Sequence, residues 1–204
     1  MLTALRLTLG LLAASAIGRQ LVIQVESGFS VVNFFSYFTN LSNLLAAVVL
    51  LTGFLRMVGG RSGSKRFDPI RYAMAVNMTV VGVVFAALLR DVDVGSLLPW
   101  VNVVLHYILP IGVLLEWILA PPATKLGVRH LFLCQVFPMA YLVYVLVRGA
   151  LTTWYPYPFL NPANTGGYPG VVPYALGIAA TFFAAGGLLM ALAKKMSGPR
   201  DTPV

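Results

Sequence analysis

"NFFSYFTNLSNLL", residues 33–45, carries Asn33, Ser36, Thr39, Asn40, Ser42 and Asn43 inside an otherwise apolar run. In water such side chains would need no explanation. In hydrocarbon each costs free energy unless it finds a partner, so the reading of this stretch depends on its surroundings. Across the 204 residues, 59% are apolar, 10% are charged and the mean hydropathy is +0.85. A soluble domain covers itself with about 25% charged residues. The composition therefore predicts an all-α, polytopic membrane protein whose surface faces lipid.

Working outward, apolar windows of about 20 residues, the length that crosses a bilayer, fall at about 2–25, 32–56, 70–89, 98–119, 128–147 and 171–193. Gly, Pro, Ser and charge clusters separate them. The longest break is the loop 148–170. The reading is one transmembrane domain over 1–204, a bundle of six helices without internal repeats. A signal peptide is the competing account of the N-terminus, with "ASA" at 14–16 as its cleavage site. Apolar sequence continues past it to Val25, and the segment is expected to be a retained first span.

Charge sets the expected orientation. Arg6, Arg56, Arg61, Lys65, Arg66, Arg71, Lys125, Arg129, Lys194, Lys195 and Arg200 fall on one side, and Arg90 and Arg148 on the other. Both termini should be cytoplasmic, in a multi-pass protein of a bacterial cytoplasmic membrane. The net charge of +8 then reflects topology and contact with anionic membrane lipids. No nucleic-acid-binding motif accompanies it. Cys134 is the single cysteine, which excludes an intrachain disulfide and a metal site built on thiolates.

On a continuous second helix, Asn33, Ser36, Thr39, Asn40 and Asn43 share an arc of about 120°. Such a stripe must face the bundle interior or a wet cavity, either as interhelical hydrogen-bonding or as a site. The fourth span, "WVNVVLHYILPIGVLLEW" (100–117), runs in the same direction. His106 is expected at the depth of Thr39, with Asn102 a turn above it on the same face. Glu116 lies about 15 Å further along, where it is expected either to pair with a basic or polar group or to be protonated by desolvation. A hydroxyl and an imidazole at one depth supply a nucleophile and a general base. Asn40, Asn43, Asn102 and Ser36 would line the polar pocket and steady an oxyanion. Arg19 in the first span either snorkels to headgroups or receives a substrate carboxylate. Trp154, Tyr155 and Tyr157 either form an interfacial aromatic belt or make a lid over the pocket. A haem held by two histidines is not expected, because His130 belongs to the opposite side. Neither a cofactor nor a metal is called for.

Three pieces of sequence resemble the androgen-induced-gene family of six-span membrane proteins and its prokaryotic relatives. They are "YFTNLSNLL" (37–45), the N-x3-H-x9-E set of Asn102, His106 and Glu116, and the loop "WYPYPFLNP" (154–162). The resemblance covers most of the chain. One departure is Pro110, which follows His106 by four residues where the family's proline is expected about one later. The resemblance implies a hydrolase of fatty acid esters of hydroxy fatty acids, with Thr39 as nucleophile and His106 as catalytic histidine. The partner would be a lipid ester. The residues also admit a non-catalytic protein that binds or transports a lipid or small molecule, and they leave the oligomeric state open.

Overall fold

The computed structural model describes residues 1–61, 66–92 and 97–196. Lys65 and Arg200, used above for orientation, lie outside the described residues. The described chain is helical, and six of its helices are long and apolar enough to cross a membrane: Leu2–Glu26, Phe38–Val58, Asp68–Leu89, Pro99–Leu119, Val128–Thr152 and Tyr168–Met196. Their number and alternating direction are those of a multi-pass membrane protein.

We number the helices α1 (Leu2–Glu26), α2 (Val31–Phe35), α3 (Phe38–Val58), α4 (Asp68–Val84), α5 (Pro99–Val103), α6 (Leu109–Leu119), α7 (Val128–Leu133), α8 (Val136–Thr152), α9 (Pro162–Thr165) and α10 (Tyr168–Met196). The first four spans make the centre. Ala13 and Ala16 of α1 and Ala46 of α3 are fully buried, and such small residues let membrane helices approach closely. α10 is tied on by hydrogen bonds from Tyr72 Oη to the Gly186 carbonyl at 2.8 Å and from Trp117 Nε1 to the Leu189 carbonyl at 3.2 Å. The fifth and sixth spans are peripheral: 22% of each apolar window is buried, against 56% for the third and fourth.

Three proline- or tyrosine-driven breaks shape the bundle, the first two at its far end, away from the termini, and the third nearer the termini end. The expected continuous helix over 32–56 is interrupted at Ser36–Tyr37, where Tyr37 adopts extended φ/ψ angles of −81° and 126°. The new helix start is held by hydroxyls from distant chain. Phe38 N–H donates to Tyr141 Oη at 3.2 Å and Thr39 N–H to Tyr157 Oη at 3.3 Å. These satisfy amides that otherwise end a helix unpaired. The stripe is thereby split, with Asn33 and Ser36 on one side of the break and Thr39, Asn40 and Asn43 on the other.

The second break precedes Pro110. Proline has no N–H for the carbonyl four residues back, and its ring crowds that carbonyl. A π-helical turn over Val104–Ile108 comes just before it, and such turns absorb an extra residue. The third is at Cys134–Gln135, four and three residues before Pro138, where the fifth span bends between α7 and α8. The loop expected over 148–170 contracts to 153–167, because α8 continues to Thr152 and α10 begins at Tyr168.

At the termini end lies a buried charge cluster. Glu116, 1% exposed, accepts from Arg6 Nε and Nη2 at 2.8 and 2.6 Å, and from Arg71 Nε and Nη2 at 3.2 and 3.0 Å. Arg71 also meets Asp68 at 3.4 Å, and Arg6 donates to the Gly53 carbonyl. Arg6 and Arg71 were expected at the headgroups. They are buried instead, because Glu116 offers each of them a compensating charge inside the bundle. One carboxylate thus binds the first, third and fourth spans.

Candidate active site

Sequence places Thr39 just inside the start of α3, and the break at Tyr37 aims that start into the bundle. Thr39 and His106 line one hollow of about 310 Å³ at the far end, together with Gln20, Gln24, Asn40, Phe85, Tyr155, Tyr157, Asn161 and Asn164. The imidazole is held on two sides. Its Nδ1 lies 3.1 Å from the Asn102 carbonyl. A carbonyl oxygen only accepts, so Nδ1 carries the proton and the neutral ring presents Nε2 as its basic nitrogen. Phe85 stacks on the ring, with centroids 3.9 Å apart and planes at 17°.

That stack depends on a close helix contact. Gly82 precedes Phe85 by one turn on the same face of the third span, and a Cβ there would come within 3.2 Å of Pro110. Phe85 itself opens a second π-helical turn, Phe85–Leu89. The two distorted turns therefore face each other, one carrying the imidazole and the other its stacking partner. π-turns recur where a side chain must be re-aimed for function. Thr39 and His106 border the same hollow, although no hydrogen bond joins them among the described residues. They are arranged around a gap rather than against each other.

Tyr157 comes closest to Thr39 chemically. It precedes Pro158, which forces an extended backbone, and its φ and ψ are −130° and 138°. The extended segment carries the phenol inward until it is 7% exposed and bonded to the Thr39 N–H. Burial pushes its pKa up, so the hydroxyl remains protonated and able to donate. The sequence reading grouped Tyr157 with a lid or belt and missed this contact. Tyr157→Phe is expected to destabilise the protein, since it leaves the Thr39 amide unsatisfied at a cost of about 1–3 kcal/mol. A lowered melting temperature of the purified variant would measure it.

Other expected site residues divide. Asn40 lines the hollow and commits one amide hydrogen to the Phe34 carbonyl at 2.8 Å, leaving a second. Asn43 does not line it. Its Nδ2 donates to the carbonyls of Thr39 and Leu105 at 2.9 and 3.3 Å, which makes it a brace between α3 and the His106 turn. Asn102 contributes its backbone carbonyl, while its side-chain Oδ1 is buried without a partner. Ser36 is outside the hollow, bonded to the Val32 carbonyl and to Tyr144 Oη. Arg19 is exposed on α1 and does not line the hollow; the next residue, Gln20, points inward in its place. Tyr155 lines the hollow, and Gly149 makes room for it, since a Cβ there would clash with the Tyr155 ring. Trp154 is set back, receiving Arg148 on its face at 4.8 Å, and Arg148 in turn donates to Asn33 Oδ1 at 2.7 Å.

Sequence reasoning also passed over Phe85, Gln20, Gln24, Asn161 and Asn164. Pro110 was the available signal for the π-turn. Among the described residues no group of three or more His, Cys, Asp or Glu side chains could hold a metal. Comparison with family models, with curated proteins and with solved structures gives no match to this chain.

Proposed function

We propose that this chain is an intramembrane hydrolase of lipid esters, akin to the prokaryotic relatives of the androgen-induced-gene family, acting through Thr39 and His106. The observation that carries the reading is the shared hollow: a threonine hydroxyl and an imidazole with a defined basic nitrogen border the same space from different spans. The distribution of Lys and Arg supports a cytoplasmic termini end, and on that orientation the hollow belongs to the outward-facing half of the membrane.

The chemistry follows from these positions. The ester carbonyl occupies the gap, Thr39 Oγ attacks it, and His106 Nε2 takes the hydroxyl proton. Tyr157 Oη and the remaining Asn40 amide hydrogen face the developing oxyanion. Collapse breaks the ester C–O bond, and the alcohol leaves with the proton from His106. A water, deprotonated by the same nitrogen, attacks the acyl-threonine; the acid departs and Thr39 recovers its proton.

A fluorophosphonate tests this. Mass spectrometry should find Thr39 phosphonylated in the wild type and unmodified in His106→Ala. Thr39→Ala should fold and hydrolyse no ester. Retained hydrolysis in Thr39→Ala would reject the nucleophile. Lipid binding without turnover or labelling would leave a non-catalytic lipid-binding protein.

A further inference from the structure

A second cavity, of about 510 Å³, lies against the first. Its walls are Val80, Val81 and Val84 of α4, the α8 face from Val136 to Leu142, and the α10 face from Ala175 to Phe183. Phe159 and Leu160 of the loop cover its upper end. The polar groups on its walls are mostly satisfied by protein. Tyr141 Oη donates to the Ser36 carbonyl and accepts from Phe38 N–H, while Gln135 Nε2 is bonded to the Leu131 carbonyl. Water needs two to four polar partners to be held in a cavity, and this lumen offers few. Hydrocarbon suits it.

Three residues, Thr39, Leu89 and Tyr157, line both cavities. The apolar chamber and the polar one therefore meet at the proposed nucleophile. His106 belongs only to the polar chamber. Since His106 must hand a proton to the departing alcohol and take one from the incoming water, both of those pass on its side. The acyl group stays bonded to Thr39 between the two steps, so it must extend the other way. Resting on the hydrolase reading, we infer that the apolar cavity between α4, α8 and α10 is the acyl-chain site, and that it receives a long-chain fatty acyl group.

Length and access agree with such a chain. From Leu142 to Phe132 the fifth span descends about 15 Å. At about 1.3 Å per methylene, as zigzag carbon–carbon bonds of about 1.5 Å give, that holds about 12 carbons. At the lower end Phe132, Val136, Met139 and Phe183 are exposed, so the cavity opens sideways into the bilayer between the fifth and sixth spans. A longer chain would run on into the membrane, and a lipid would enter by the same gap.

Ala179 faces this cavity a helical turn below Ala175, and Ala179→Phe should fill it. Hydrolysis of nitrophenyl palmitate should fall about 10-fold or more, the equivalent of losing two methylene contacts, while nitrophenyl acetate should be cleaved as by the wild type. Val143→Phe, on a lipid-facing position of α8 outside the cavity, should change neither. Equal loss on both esters, or no loss on either, would overturn the assignment. A fatty acid with a diazirine near its methyl end provides a readout that needs no turnover. Its crosslinks should concentrate on α8 and α10 and fall in Ala179→Phe; labelling spread evenly over the lipid-facing spans would overturn the acyl site. Crosslinks at α8 and α10 without any hydrolysis would keep this site and reject the enzyme.

Discussion

Glu116→Ala is expected to destabilise the protein by about 3–5 kcal/mol, the cost of breaking a buried ion pair by removing one partner. Two guanidiniums would remain in the interior with Asp68 as their sole carboxylate among the described residues. The loss should appear as a lowered melting temperature and an aggregated fraction in size-exclusion chromatography. Glu116→Gln keeps the shape and some hydrogen bonding but removes the charge, so it should fall between wild type and Ala. An unchanged melting temperature in both variants would show that water or lipid headgroups neutralise Arg6 and Arg71 instead. The effect on catalysis should be indirect, because the cluster is at the opposite end of the fourth span from His106.

His106→Gln carries the largest expected effect on activity. A general base contributes about 10²–10⁴-fold, and glutamine keeps polarity in the hollow without a basic nitrogen. Turnover should fall by that range while the melting temperature stays near wild type. The Phe85 stack distinguishes positioning from chemistry. Phe85→Leu would free the imidazole to tilt while leaving its nitrogen in place, so it should reduce turnover less than His106→Gln does. A His106→Gln protein that hydrolyses esters at the wild-type rate would remove the imidazole from the mechanism.

The six crossings were legible because bilayer thickness imposes a length scale of about 20 residues on composition, and each observed span lies within a few residues of its expected bounds except where the second is cut. That cut was not legible. Ser36 and Tyr37 are ordinary helix residues locally, and the hydroxyls that stop the helix come from Tyr141 and Tyr157, more than 100 positions away. The same applies to Arg6 and Arg71. A local charge count assigns arginines near a span end to the headgroups, and nothing near them announces Glu116. Thr39 and His106 could be brought together by depth alone, since two spans of the same direction share a scale. Asn43, Ser36 and Arg19 went astray because a helical wheel gives the face of a residue but not which neighbour takes up its hydrogen bonds. Pro110 contained its message in plain view: a proline in a span demands a distortion, and the distortion fell on the histidine.

The shared carboxylate also bears on biogenesis. The ribosome delivers Arg6 and Arg71 well before Glu116, and each lies within the first turns of its span, close enough to the end for its side chain to snorkel to the headgroups until a counter-charge arrives. The nascent first and third segments can therefore cross with their guanidinium groups at the interface, and draw them inside only once the fourth is synthesised. Final seating of half the bundle is a late, concerted event, and a chain truncated before residue 116 has no means of completing it.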